Sequence, residues 1–184
     1  MSRLLTVALY LAIAGSALAG ELAGVSMPDT TQVGDQELVL NGMGLRKKSF
    51  FKIYVAGLYL PEREQSSDAI LGSDTIRHTV MAFKSGLATA KRLCNGWTEG
   101  LEKNTPGASP EVKKQFETLC GYMEDMKEGD QMVFTYVPGE GTEAIVKGES
   151  KGRFEGKEFA DALFACWIGP EPPGEAFKTG LLGG

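Results

Sequence analysis

Runs of apolar residues separated by short turns dominate much of the chain and predict β-strands. Residues 38–45 and 50–60 are apolar on both faces and flank a basic turn, a pattern typical of a long hairpin that is covered on both sides. Residues 75–83 alternate between two faces and predict another strand. Glycine-containing turns then separate the three strands of a predicted meander, at residues 131–137, 143–147 and 150–154.

Helical spacing of apolar residues predicts three longer helices between and after these strands. Residues 87–103 carry an apolar stripe that includes Trp97. Ser109 and Pro110 mark the start of a second helix, because serine caps a helix and proline suits its first position. The third covers residues 158–167, and short helices are predicted at residues 66–71 and after Gly174. Antiparallel strands with helices packed on one side make an α+β fold.

The N-terminal segment has the pattern of a secretory signal peptide. Arg3 precedes an apolar run over residues 4–14, and an Ala-Leu-Ala sequence at residues 17–19 is typical of a cleavage site. The alternative, a transmembrane anchor, requires about 20 apolar residues. We therefore expect a signal peptide at residues 1–19, a single domain at residues 20–184 that begins with a polar lead-in, and a periplasmic or secreted protein with no transmembrane segment after cleavage.

Charge and residue usage narrow the function classes. The chain of 184 residues has a net charge of −5, and nucleic-acid binding requires clustered positive charge, so we expect no nucleic-acid partner. The single histidine, His78, cannot form a metal site alone, and the cysteines form no CxxC pair, so we expect neither a metal nor a cofactor. We expect His78 to be structural.

The three cysteines bear on the redox compartment. In an exported protein they predict one disulfide and one free thiol. Cys94 and Cys120 lie on the apolar stripes of two helices that a short loop should make antiparallel, which permits a bridge between them. The alternative is three buried thiols that pack as small hydrophobic residues.

Arg46 and Tyr54 are the candidate binding residues. Arg46 follows a glycine-rich segment, and Tyr54 lies on the next strand. An arginine aimed into an apolar cavity can hold a carboxylate by paired hydrogen bonds, and a tyrosine hydroxyl can add another donor. The alternative is a solvated basic hairpin tip. Gly42 and Gly44 predict close packing or a bulge, since a strand and not a helix follows them.

The order of motifs along the chain resembles that of the chalcone isomerase-like family, and most closely its bacterial, exported branch. The similarity covers residues 33–184 and includes an amphipathic helix pair with Trp97. Its motifs are LNGMGLRKKSFFKIYVAGLYLP, EGDQMVFTYVPGEGTEAIVKG, GRFEGKEFADALFACWIG and the closing LLGG. The resemblance implies a large antiparallel sheet backed by helices, with a ligand cleft between the two layers.

The resemblance also implies a choice between two activities. Chalcone isomerases close a hydroxylated chalcone into a flavanone with an arginine, a threonine, a tyrosine and an asparagine. Fatty-acid-binding relatives keep the arginine and carry a tyrosine in place of the threonine. Arg46 and Tyr54 match this second pattern, whereas the isomerase tyrosine and asparagine fall near Ser85 and Arg92. Asn95 is out of register by most of a turn.

The family pattern therefore favours an exported, non-catalytic, monomeric protein that binds a fatty acid or similar amphipathic carboxylate through Arg46 and Tyr54. One alternative is an isomerase or intramolecular lyase in which Arg46 is the electrophile. Another is a structural or partner-binding protein whose cleft is filled by side chains. A true cleft beside Arg46 would favour the first two of these hypotheses.

Overall fold

The computed structural model describes residues 18–184, which form nine strands and five helices. Most of the predicted signal peptide lies outside the described residues. The strands are β1 (Leu18–Leu22), β2 (Val25–Pro28), β3 (Thr30–Val33), β4 (Gln36–Lys48), β5 (Phe51–Leu60), β6 (Arg77–Phe83), β7 (Gln131–Val137), β8 (Gly141–Val146) and β9 (Glu149–Phe154). The helices are α1 (Ser67–Gly72), α2 (Ala90–Asn104), α3 (Pro110–Gly121), α4 (Lys157–Ile168) and α5 (Glu175–Leu181).

Strands β3 to β9 form one seven-stranded sheet in which sequence neighbours are also spatial neighbours. Every adjacent pair is antiparallel. Helices α2 and α3 are inserted between β6 and β7, and α4 follows β9. The predicted α+β architecture, the β4–β5 hairpin and the three-stranded meander are confirmed.

The polar, glycine-rich lead-in over residues 20–37, to which the sequence analysis assigned no element, contains three strands. β1 and β2 form a separate hairpin, and β3 is the edge strand of the main sheet. These strands have only four or five residues each, which is too short for a clear periodic signal. Met27 of β2 is nonetheless buried in a small cluster with Leu38, Val55 and Tyr59 on the outer face of the sheet.

The main core lies between the other face of the sheet and the helices. Apart from the half-buried Asp161, helix α4 is buried on all sides from Phe159 to Ile168, because it packs under the sheet and also contacts α2 and α3. The sequence pattern assigned it only one apolar face. Within residues 18–184 the longest helix has 15 residues, and no helix combines the length and hydropathy that a bilayer crossing requires.

The ends of α2 and α3 follow their capping residues. The Oγ1 atom of Thr89 accepts a hydrogen bond from the Arg92 amide, so α2 begins at Ala90 and not at residue 87 as predicted. Ser109 caps α3, with Pro110 at the first position, which confirms the predicted start. A disulfide joins Cys94 in α2 to Cys120 in α3, and Cys166 is a buried free thiol.

The glycines of β4 allow α5 to lie directly on the strand. A Cβ on Gly42 would collide with the Gly180 carbonyl oxygen, and one on Gly44 would collide with the Phe177 carbonyl oxygen. The chain also changes register between Leu40 and Gly42. The predicted close packing is therefore confirmed, and it places Phe177 near the end of the sheet that holds Arg46.

Candidate functional site

A cavity of about 690 Å³ opens between the sheet and α2, at the end of the β4–β5 hairpin. This volume lies within the range of about 300–1,000 Å³ that is typical of small-molecule pockets. The walls are about equally apolar and polar, and the apolar part includes Ile53, Met81, Leu87, Leu93, Trp97 and Trp167. Charged and polar side chains line the rest and include Arg46, Lys48, Arg92, Asn95, Glu99, Lys103 and Glu171.

Arg46 is half-buried on the cavity wall near the end of β4. Its Nη1 atom donates to the carbonyl oxygen of Pro173 at 2.8 Å and also to that of Lys47. These two bonds hold the guanidinium across the gap between β4 and the segment that precedes α5. Its Nε and Nη2 atoms make no hydrogen bond to any part of the chain that the structure describes, so they remain available to a ligand.

Tyr54 lies directly opposite Arg46 in the β4–β5 ladder, so both side chains are on the cavity face of the sheet. Its ring packs against Phe83 and Phe177, with centroids 5.5 and 5.8 Å away. Burial raises the pKa of Tyr54 to about 12, although the charge of Arg46 opposes part of this rise. The phenol is therefore a neutral hydrogen-bond donor at physiological pH.

Trp167 is a cavity residue that the sequence analysis did not identify. It is only 2% exposed, and its Nε1 atom has no hydrogen-bond partner within residues 18–184. It still lies close enough to the Tyr54 hydroxyl to lower the pKa of that group slightly. A tryptophan on an apolar helix face is typical of a core residue, so the sequence offered no signal for this role.

Cys166 also lines the cavity, beside Trp167. Its Sγ atom donates to the Ala162 carbonyl oxygen at 3.3 Å. Burial raises the pKa of its thiol to about 12. Because the thiolate is the nucleophilic form of cysteine, this side chain is unreactive at neutral pH.

The positions that correspond to the isomerase tyrosine and asparagine do not form a catalytic set. Ser85 is not among the cavity-lining residues, and its Oγ accepts a hydrogen bond from the Leu87 amide. Arg92 does line the cavity and donates to the Leu87 carbonyl oxygen at 2.9 Å. Asn95 lines it as well, although the sequence register placed it off the site.

Carboxylates reach the cavity only at its exposed side. Of the acidic residues that line it within residues 18–184, Glu99 and Glu171 are both exposed. A hydrogen bond from Lys103, at 2.7 Å, is the main cause that lowers the pKa of Glu99. Glu99 is therefore ionised near neutral pH and is a poor proton donor.

His78 lies away from this cavity, on the outer face of the sheet. Its Nδ1 atom is 2.8 Å from the Thr135 hydroxyl, and its ring contacts that of Tyr59. Burial lowers the pKa of His78 to about 4. In the described part of the chain, no group of three histidine, cysteine or acidic residues is arranged to hold a metal ion.

Comparison with known proteins identifies a family and a solved structure with a similar fold. A family model described as chalcone isomerase-like matches residues 19–183. The crystal structure of a fatty-acid binding protein from Arabidopsis thaliana matches with a TM-score of 0.68, covering 86% of this chain and 92% of that chain at 18% identity. At this identity the likeness shows the fold alone. No curated protein sequence matches the chain.

Proposed function

Since the chain belongs to the chalcone isomerase-like family, we propose that it is an exported, non-catalytic protein that binds a fatty acid or similar amphipathic carboxylate. The opposition of Arg46 and Tyr54 on the wall of a cavity that has both apolar and polar surface is the observation that carries this proposal. The pair offers a fixed positive charge and a neutral donor at one end of a space suited to a hydrocarbon chain.

The head group would be held by hydrogen bonds from both residues. Arg46 has its Nε and Nη2 atoms free of bonds to residues 18–184, and guanidinium groups bind carboxylates in a bidentate manner. The Tyr54 hydroxyl, which stays protonated, donates to the same group. The tail would then extend along Ile53, Met81 and Leu93, where transfer of methylene groups out of water is favourable.

Binding is better supported than isomerisation or lyase chemistry with Arg46 as electrophile. Such a reaction requires a group that exchanges a proton near neutral pH. Burial instead raises the pKa of both Tyr54 and Cys166 to about 12. The lining carboxylates, Glu99 and Glu171, are exposed.

Two features support export. Residues 1–19 have the signal-peptide pattern described above. The Cys94–Cys120 disulfide suits an oxidising compartment such as the periplasm or the extracellular space.

Native mass spectrometry of the protein recovered from the exported fraction tests the proposal. Wild-type protein should carry a small molecule that denaturation releases and that is identified as a fatty acid. Arg46→Ala should lose it, whereas Arg92→Ala, which removes another arginine from the same cavity, should keep it. A protein that is free of ligand and does not bind added fatty acids would contradict the proposal, as would equal loading of the two variants.

A further inference from the structure

Two adjacent phenylalanines at the apex of the β4–β5 hairpin are the large hydrophobic side chains that residues 18–184 leave exposed. Phe50 is 98% exposed and Phe51 is 59% exposed. The apex is a tight turn in which Ser49 has a φ of 54°, and this turn holds Phe50 away from the body of the protein. Exposed apolar surface of this kind marks a site of interaction.

Positive charge surrounds these two rings. Residues 46–52, which we call the hairpin tip, read RKKSFFK and contain four basic residues and no acidic one, in a chain whose net charge is −5. Lys47, Lys48 and Lys52 are exposed, and within the described residues none of them has an acidic partner within ion-pairing distance. The hairpin tip is therefore positively charged, whereas the molecule as a whole is negatively charged.

We propose that the hairpin tip docks the protein on a bilayer that contains anionic lipids. Clustered lysines are attracted to a negatively charged membrane surface, and adjacent aromatic rings bury in the interface between head groups and acyl chains. The otherwise acidic molecule is repelled by the same surface, so the charge distribution also selects the orientation with the tip towards the lipid.

Docking in this orientation places the cavity at the membrane. Lys48, Ser49 and Phe51 belong to the tip and also line the cavity, together with Arg46. An amphipathic acid could then move between bilayer and cavity with little exposure of its tail to water. This consequence rests on the proposed function, whereas the docking itself does not.

Vesicle co-sedimentation without added fatty acid tests the docking. The probes are vesicles of phosphatidylcholine alone and vesicles of equal parts phosphatidylcholine and phosphatidylglycerol. Wild-type protein should prefer the anionic vesicles, and both Phe50→Ser/Phe51→Ser and Lys47→Gln/Lys48→Gln/Lys52→Gln should reduce its partition by about tenfold or more. Lys113→Gln/Lys114→Gln removes exposed lysines from α3 as a control and should leave the partition unchanged.

Fluorescence of a Phe50→Trp variant reports on the tip itself, so a retained N-terminal apolar segment does not confuse the result. Its emission should shift to shorter wavelength with anionic vesicles, while the buried Trp97 and Trp167 give a constant background. Equal binding to both vesicle types, equal binding by the tip and control variants, or no emission shift would overturn the docking proposal. Self-association, or capture of an acidic protein, that depends on Phe50 and Phe51 without vesicle binding would also overturn it.

The two proposals fail separately. A wild-type protein that does not dock on anionic vesicles but binds a fatty acid through Arg46 would refute the membrane site alone. Normal docking by a protein that binds no acid would refute the proposed function alone.

Discussion

Arg46 and Tyr54 occupy directly opposite positions in the β4–β5 ladder. The Cβ atoms of such a pair lie about 4.5–5.5 Å apart in an antiparallel sheet. The charge of Arg46 also acts on Tyr54, because it opposes the rise in pKa that burial causes there. One carboxylate can therefore accept hydrogen bonds from both side chains.

Removal of the Tyr54 hydroxyl should weaken acid binding without loss of the fold. A hydrogen bond to a charged group contributes about 1.5–3 kcal/mol, so Tyr54→Phe should lower the affinity for a fatty acid roughly 10- to 150-fold by calorimetry. Because the pKa of Tyr54 is about 12, wild-type affinity should be constant between about pH 7 and pH 10. The methyl ester of the same acid has no charge, so its affinity should differ less between the wild-type protein and Tyr54→Phe. An unchanged affinity of Tyr54→Phe for the acid would show that Tyr54 does not bind the head group.

The contact between β4 and α5 should make Gly42 intolerant of any side chain. A methyl group there meets the Gly180 carbonyl oxygen, which belongs to backbone and cannot rotate away. Gly42→Ala should lower the free energy of unfolding by about 1–3 kcal/mol in urea titrations. Gly96→Ala is the matched control, since Gly96 lies in α2 with open space around it and should be neutral or stabilising. Equal effects of the two substitutions would show that α5 does not pack as described.

In the ion pair between the buried Arg77 and the partly exposed Asp161, substitution of one partner should destabilise the protein more than substitution of the other. Arg77 is fully buried, its Nη2 lies 2.6 Å from Asp161, and its Nε and Nη1 have no hydrogen-bond partner within the described residues. The rings of Tyr136 and Phe164 enclose the guanidinium at 4.9 and 5.2 Å. Asp161→Ala leaves that charge buried and unpaired, so it should destabilise the protein by about 3–5 kcal/mol.

The double variant Arg77→Met/Asp161→Ala should recover much of this loss, because no buried charge remains. Arg77→Met alone should cost less than Asp161→Ala, since Asp161 is partly exposed and keeps Lys157 as a partner at 2.6 Å. A double-mutant cycle measured by urea unfolding checks both statements. Strictly additive effects would show that the pair does not interact.

His78 should make the protein less stable in acid. Its pKa is about 4 in the folded state and 6.5 without burial. Between these values the unfolded chain binds a proton that the folded protein does not. The free energy of unfolding therefore does not depend on the protonation of His78 above about pH 6.5 and falls as the pH decreases towards 4. The free energy of unfolding that is lost in this way is up to about 3 kcal/mol. His78→Gln should flatten the dependence of the unfolding free energy over this window, and an unchanged slope would contradict the assignment.

The sequence predicted the sheet well because its strands are long, apolar and separated by clear turns. The alternation at residues 75–83 predicted a strand, but alternation does not tell which face is buried. In the structure Arg77 is on the core side of the strand. Its partner Asp161 lies on α4, 84 residues further along the chain. Only tertiary structure brings such a pair together. The short strands β1 to β3 were missed for a related reason. Pairing with each other or with β4, and contact with the main sheet, stabilise them more than their own sequence pattern does.

The sequence predicted the residues of the candidate site that lie on strands, but not those that reach the cavity through helix packing. Arg46 and Tyr54 were identified from family positions on neighbouring strands. Trp167 and Asn95 reach the cavity because of the way α4 and α2 pack against the sheet. A stripe of apolar residues on a helix predicts burial, but it does not predict where a space is left between two packed elements.

Asn41 binds the carbonyl oxygen of Leu181 at 2.9 Å across 140 residues of chain. This bond fixes β4, the strand that carries Arg46, to α5, and the packing of α5 on the glycines of β4 does the same. The ribosome synthesises α5 much later than β4. A nascent chain that has emerged only as far as the β4–β5 hairpin therefore lacks the cover for that strand. We expect the cavity beside Arg46 to form late during biogenesis, after translation has passed Leu181, however early the sheet begins to form.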